Sequence, residues 1–519
     1  MRVFLKRVPK YARVLVIIIL IGIFLRTYHF HQKLRFNDDQ ARDATIVSNA
    51  ILGKAGLPLL GPLAGGTSFQ LGPAFYYLQY ASARIFGNSP DKMAYPDVIS
   101  SILAIPLFFF FLRLYFSKRV SLTLAFLSAI SFYGVHYSRF AWNPNSMPFW
   151  TLLYIFSLLK IFGPSRIPKY VWTILAGISL GIGVQLHTLL LGALPLYSVA
   201  IFAYALYRKA PIKKYFAIML VIAFICNIPQ VINEHNTSWK NTRDFFMAQK
   251  IKRAGNKSLV QSSILAISCT SQADTFIISG LGDQNSCMES TKNSTNTNIF
   301  VLRLGIGLIL VFGGGLILYK KIQTEDSSAR KNFLIFTGTY GLLYLIIIVP
   351  VIQSIADKAM RYYLGMVFIP FVLLGLNLEF LIDYFAKKSW FWISLIVIIF
   401  SASNLMAVRD DLTLAKLDVS IFTLGEGENM AQYIANQAGP THQAFVTGNS
   451  AVMFHEFRPL QFLARNQGLT LERYSSKKNN SLPTKVFSIA FSPSNNKSSD
   501  NRFGRFTITK QTIASVNVN

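Results

Sequence analysis

The chain has 519 residues, 52% of them hydrophobic and only 14% charged, with a mean hydropathy of +0.39. That is too apolar for an ordinary soluble domain and reads as a membrane protein. The net charge of +28, from 51 Lys and Arg against 23 Asp and Glu, calls for no nucleic acid partner, because the basic residues fall mainly in short segments between apolar runs, where they set topology.

Apolar stretches at 11–29, 95–116, 120–138, 146–162, 171–187, 189–207, 215–232, 298–319, 332–352, 362–384 and 389–407 predict about eleven membrane-spanning helices. The first lacks a small-residue cleavage site before RTYHFHQKLRF and is taken as a span, not a signal peptide. With this count, the basic N-terminus and the segments SKR at 117–119, PSRIPK at 164–169, RKAPIKK at 208–214, YKK at 319–321 and AKK at 386–388 share one face, which the positive-inside rule makes cytoplasmic. The expected arrangement is a multi-pass protein of the cell membrane with its large connections outside: 30–94, 233–297 and a tail from residue 408. Residues 1–407 form the membrane domain and 408–519 a small extracytoplasmic α/β domain, in which ENMAQYIANQAG reads as an amphipathic helix and AFVTGN and KVFSIAFS as strands. Cys226 falls in a span, whereas Cys269 and Cys287 share an outer loop where a disulfide between them is permitted.

The first outer loop opens with RFNDDQARDA. Asn37 suits a helix N-cap, with Asp38 and Asp39 at the positive end of the helix dipole. A carboxylate at a membrane surface also suits a general base, because partial desolvation raises its pKa toward working pH. Both readings stand together. Outside the membrane there is no pool of nucleotide sugars or ATP, so group transfer there requires a donor carried across on a lipid. The carboxylate would take the proton of an acceptor hydroxyl attacking a sugar C1, and a cation would meet the departing phosphate. Tyr76, Tyr77, Tyr80 and Arg84 make 71–87 read as interfacial, since Arg84 and the short length argue against a crossing.

Further candidates lie at other outer turns. SRFAWNPN carries Arg139, Trp142, Asn143 and Asn145, readable as a helix end broken by Pro144 or as ligands. His187 follows GISLGIG, whose Gly177 and Gly181 allow close helix contact; it is a helix cap or a functional group. QSIADKAMRYY offers Lys358 and Arg361, the latter able to bind phosphate oxygens bidentately or, with Tyr362, to anchor the interface. Arg42 is either a phosphate ligand or a salt-bridge partner of Asp38 or Asp39. No GxxxxGK[ST] loop, GxSxG elbow or His/Cys/carboxylate set with firm ligand spacing is present. Metal-independent chemistry is the default and no metal site is assigned, with a divalent cation at Asp38 and Asp39 left open.

The order of a first span, an acidic D-x-A-R-x-A loop, LGPAFYYLQYASARIFG, a helix pair, YSRFAWNPNSMP, GVQLHT and a late MRYYLGMVFIP resembles the protein O-mannosyltransferase and aminoarabinose transferase superfamily, the C-type multi-span glycosyltransferases. The resemblance runs over roughly 10–385 and is strongest from 36 to 150. It implies a GT-C-like polytopic helical fold and an inverting sugar transfer from a polyprenyl-phosphate donor to a glycan, lipid or protein acceptor. It makes Asp39 the first choice for base and Asp38 the reserve. Gln40 stands where the family has a second acid, and Gln70 stands where aminoarabinose transferases place a phosphate-binding Lys, which shifts the phosphate contact toward Lys358 and Arg361. The same pattern lifts Asn143 to a possible substrate ligand. A multi-span transporter or flippase is the alternative, although no inverted repeat is seen and the polar candidates gather at one face.

Overall fold

The computed structural model describes residues 9–65, 67–252, 258–282, 294–352, 359–385, 389–413, 421–439, 442–474, 486–491 and 501–511. Every one of the apolar stretches above is helical. Among the described residues, six helices are long and apolar enough to cross a membrane: α4 (Tyr95–Leu112), α7 (Lys169–Leu186), α8 (Thr188–Tyr207), α13 (Asn298–Thr324), α14 (Ser328–Ile352) and α16 (Ser389–Thr413). Two more candidate spans are bent pairs. Lys213–Cys226 (α9) meets Ile228–Asn236 (α10) at 55°, and a 3₁₀ turn, Ala359–Met366, meets Ile369–Phe385 (α15) at 68°.

The remaining three stretches are short or carry charge. They are α1 (Lys10–Thr27), with Lys10, Arg13 and Arg26, then α5 (Lys118–Ile130) and α6 (Met147–Phe162). Arg26 is buried yet satisfied, donating to Ser101 Oγ on α4 at 2.8 Å and to the Ala129 carbonyl on α5 at 2.7 Å, which fixes α1 against both. Gly177 and Gly181 do permit close packing. A Cβ at either would come within 2.7 Å of Ile222 or Cys226 on α9.

The segment after α1, expected outside the membrane, folds as α2 (Asp38–Ile51) and α3 (Ala74–Phe86). Thirteen residues of α3 span about 20 Å, short of the roughly 30 Å hydrocarbon. The helix packs on α2, α4 and α7 instead.

The stretch expected to be one large outer loop, 233–297, contains the end of α10, α11 (Lys240–Lys252) and α12 (Leu259–Ser279), and α12 is buried along most of its length. Ser, Thr, Gln and Asp side chains interrupt its apolar residues, so no apolar run announced it. Cys269 on α12 is disulfide-bonded and Cys226 is a free thiol, while Cys287 lies outside the described residues.

After α16 the chain forms α17 (Leu424–Ala438), β1 (Gln443–Gly448), α18 (Phe457–Asn466), β2 (Thr470–Arg473), β3 (Val486–Phe491), β4 (Arg502–Phe503) and β5 (Phe506–Gln511). The sheet order is β2-β1-β3-β5-β4. β1 runs parallel to β2 and β3, in register Val446 with Phe487, and β3 is antiparallel to β5, Ile489 facing Ile508. Val446, Phe487, Ile489 and Ile508 are all buried. α17 is fastened to the β4–β5 hairpin by Arg505, which donates to Glu426 at 2.8 and 3.1 Å in a pair about one-tenth exposed.

Candidate active site at the acidic helix and the Arg361 turn

The start of α2 is set by a clasp between the first loop and the segment entering the C-terminal domain. The Phe36 N–H donates to the Phe422 carbonyl and the Leu424 N–H to the Leu34 carbonyl, both at 2.8 Å. Asn37 then caps α2 through a capping box in which the Gln40 side chain accepts from the Asn37 N–H at 3.1 Å. Gln40 is therefore a capping residue, which needs an acceptor and not a charge.

The three aspartates meet different fates. Asp38 accepts from Arg458 of α18 at 2.8 Å, and Asp39, about half exposed, accepts from Arg42 at 2.8 Å. Arg42 is thus a salt-bridge partner. Asp43, one helical turn after Asp39, is buried and receives Arg42 at 2.9 Å and the Tyr76 hydroxyl of α3 at 2.9 Å, while its Oδ2 has no hydrogen-bond partner. Burial pushes the Asp43 carboxyl up to about 6 against the opposing pull of Arg42 and Tyr76. Sequence reasoning singled out Asp38 and Asp39 and passed over Asp43, although the buried positions Ala41, Ala44, Val47 and Ser48 place it on the inward face of the helix.

The second half of the site is the turn 139–145 and the 3₁₀ segment. Tyr137 and Phe140 lie nearly parallel to Trp142, with centroids 6.3 and 6.0 Å away. The Arg361 guanidinium lies 5.6 Å from the Trp142 centroid and 5.1 Å from that of Tyr362, and donates to the Tyr362 hydroxyl at 3.0 Å. Arg361 pairs with no carboxylate among the described residues.

A 3₁₀ segment leaves carbonyls needing donors, and three tyrosines supply them. Tyr133 donates to Met360 at 2.7 Å, Tyr344 to Tyr362 at 2.5 Å and Tyr340 to Gly365 at 2.8 Å. The Tyr362 ring meets His187 edge-on at 5.7 Å. His187 caps α8, its Nδ1 accepting from the Leu189 N–H at 3.2 Å, and Asn143 donates to the Leu186 carbonyl at 2.6 Å. Arg361, Tyr362, His187, Asn143 and Trp142 are therefore neighbours.

Two candidates stand elsewhere. Arg139 donates to the carbonyls of Leu25, Arg26 and Tyr28 at 2.8 to 3.2 Å, a cation closing the C-terminal end of α1. Gln70 exchanges backbone hydrogen bonds with the Asn241 amide at 2.8 and 3.0 Å and donates its side chain to Gly61, pinning the 61–72 turn to α11. Lys358 lies outside the described residues.

The halves meet through Arg35 and Tyr137. Arg35 binds Asp411 at 2.6 Å, His136 approaches the same carboxylate at 3.2 Å, and Tyr137 lies within electrostatic reach of both Arg35 and Arg361. Arg35 and Gln40 also share a small gap with Ala141 of the aromatic turn. Neither the Arg35–Asp411–His136 cluster nor its role in joining the two loops was visible in the sequence, because Asp411 is more than 270 positions from both partners. Among the described residues, no group of three or more His, Cys, Asp and Glu side chains has the arrangement of a metal site. Asp38 and Asp39 are each held by a different arginine.

Comparison with known proteins agrees with this architecture. Residues 70–232 match the family model of dolichyl-phosphate-mannose-protein mannosyltransferase. The structure is similar to ArnT of Cupriavidus metallidurans in its apo state (TM-score 0.52, 12% identity, 96% of this chain and 97% of that one). It is equally similar to ArnT of that organism bound to undecaprenyl phosphate (0.52, 13%, 97% and 98%). The oligosaccharyltransferase of Archaeoglobus fulgidus in complex with zinc and sulfate matches at 0.51 with 14% identity, over 88% of this chain and 62% of that one. No curated protein sequence matches. The chain is a multi-pass membrane protein with the fold of the C-type glycosyltransferases, and its residues 70–232 match the mannosyltransferase family model.

Proposed function

We propose that the protein transfers a sugar from a polyprenyl-phosphate carrier to an acceptor at the extracytoplasmic face of the cell membrane. The observation that carries this reading is the pairing of a half-exposed carboxylate, Asp39, on an outer helix with an arginine, Arg361, that lies on aromatic faces and has no described carboxylate partner. In the C-type fold these are the two charges an inverting transfer needs.

The acceptor hydroxyl attacks C1 from the face opposite the carrier. The C1–O bond to phosphate breaks, the phosphate leaves with the electron pair, and the hydroxyl proton passes to Asp39. Arg361 meets the charge gained by the leaving phosphate, and Tyr362 and Trp142 hold its guanidinium in place. Asp43 is a positioning residue. At 1% exposure it is out of an acceptor's reach, and its bond to Arg42 sets how tightly Asp39 is held. Asp38 is the reserve base, and the chemistry proceeds without a metal.

A panel of polyprenyl-phosphate sugars offered to the purified protein in liposomes tests the reading. Turnover of one donor is the expected result; no transfer or hydrolysis from any donor, with lipid binding intact, would contradict it. One observation favours transport instead: Asp274 on α12 is fully buried with neither oxygen hydrogen-bonded, and buried intramembrane carboxylates mark ion paths. Proton-coupled uptake lost in Asp274→Asn would support that second reading.

A further inference from the structure

A cleft of about 540 Å³ opens between α2 and the C-terminal domain, away from the Arg361 turn. It is lined by Arg42 on α2, by Arg458, Gln461 and Arg465 on α18 and by Thr470 on β2, over an apolar base that includes Phe462. Phe462 is buried and packs edge-on against Phe36 at 5.6 Å, so the cleft wall is tied to the residue that precedes the Asn37 cap. The volume lies in the range of small-ligand sites, and an apolar base with polar rim groups is what a sugar ring presents to in a binding cleft.

The charge arrangement is specific. Arg42 is held by Asp39 and Asp43, and Arg458 by Asp38. Arg465 reaches only a neutral group, the Asn49 amide oxygen at 3.0 Å, and no carboxylate among the described residues. Three guanidinium groups thus converge on one cleft, one of them uncompensated, and the other two hold the very carboxylates that would serve as base.

We infer that this cleft binds the acceptor through an anionic group, a phosphate monoester or a uronate carboxylate on a glycan, while a neutral hydroxyl of the same acceptor is the nucleophile. The inference rests on the glycosyl-transfer reading above and adds the acceptor's charge to it. Guanidinium forks match both anions bidentately. An arriving anion competes with Asp39 for Arg42 and with Asp38 for Arg458. Occupancy of the cleft is therefore coupled to the release of Asp39 and Asp38 from their arginines.

The test is equilibrium binding, which needs no turnover. The full-length protein in phosphatidylcholine nanodiscs is titrated with three fluorescently labelled disaccharides, one neutral, one carrying a 6-phosphate and one carrying a uronic acid, and anisotropy is read. At least one charged probe is expected to bind about ten-fold tighter than the neutral one, and the charged probe that does so names the anion. Arg465→Gln and, separately, Thr470→Glu are expected to abolish most of that preference, read as the ratio of charged to neutral affinity. Asp38→Asn and Asp39→Asn are expected to tighten charged binding about three-fold or more, since the first frees Arg458 and the second leaves Arg42 paired with Asp43 alone. Equal affinity for all three probes, or a preference that survives both cleft variants, overturns the anion site. Unchanged affinity in both aspartate variants overturns the coupling. Charge-selective binding in a protein that transfers no sugar from any donor refutes the glycosyl-transfer reading and leaves the anion site standing.

Discussion

The two charged halves of the site are built in opposite ways. Around α2, every aspartate has an arginine: Asp38 has Arg458, while Asp39 and Asp43 share Arg42. Around the 3₁₀ segment, whose carbonyls are fixed by three tyrosines, Arg361 is held by the Trp142 and Tyr362 rings, with no carboxylate partner among the described residues. A cation held by aromatic faces keeps its attraction for an incoming anion, whereas the carboxylates of α2 already have cationic partners. The cationic half is thus open to an anion before any substrate arrives, which on the proposed reading is the donor phosphate.

The strongest way to break this contrast is to remove the base. Asp39→Asn is expected to lower kcat for sugar transfer by about 10²- to 10⁴-fold, the usual worth of a general base, with donor binding unchanged. Next is Arg361→Gln, expected to cost about 10²- to 10³-fold in kcat/KM, as for other groups that meet transition-state charge; a donor-binding assay should show the loss already in the ground state. Trp142→Leu sharpens the contrast. It removes one cation–π face, worth roughly 0.5 to 2 kcal/mol, and is expected to lower kcat/KM about 3- to 30-fold without altering the acidic half.

Asp43 gives a pH signature. Its folded carboxyl lies near 6, above the ordinary 3.8, so the native state favours its protonated form. Its contribution to stability is complete below about pH 4 and is lost as pH rises through 6. That difference corresponds to roughly 3 kcal/mol. Thermal unfolding of Asp43→Asn from pH 4 to 8 is expected to follow a flatter curve than wild type, and parallel curves would contradict the assignment. The smallest expected effect is at His31, which binds Asp91 at 3.1 Å and Glu428 of α17 at 2.8 Å. Burial lowers its pKa, but the bonds to Asp91 and Glu428 outweigh burial and raise it. The contact between loop and domain is therefore strongest below the ordinary imidazole pKa and weakens as pH rises through the raised value. Glu428→Gln, an exposed partner, should change stability by only a few tenths of a kcal/mol.

What the sequence made legible follows from how local each signal is. The membrane helices announce themselves by composition, and the Asn37 cap with its acidic first turn is a pattern within four residues. In the tail, α17, β1 and β3 fall where amphipathic and alternating runs place them. α12 was read as loop because a helix buried among other helices needs no uniform apolar face when its hydroxyls bond to carbonyls, as Thr275 does to Arg303. Asp43 was passed over because Asp38 and Asp39 attract attention first, yet its place on the inward stripe of α2 was readable. The arginines of α18 and the Arg35–Asp411 pair were not, since they reach the first loop only through the folding of the C-terminal domain against it. Arg139 and Gln70 had the right residue types or positions for a site, and the structure gives both to backbone carbonyls and turns.

The most direct measurement is sugar transfer from polyprenyl-phosphate donors by wild type, Asp39→Asn and Asp38→Asn reconstituted in the same liposomes, with carrier binding recorded alongside. The account predicts transfer by wild type, its near-complete loss in Asp39→Asn with carrier binding kept, and a smaller loss in Asp38→Asn. Equal turnover in wild type and Asp39→Asn would contradict it.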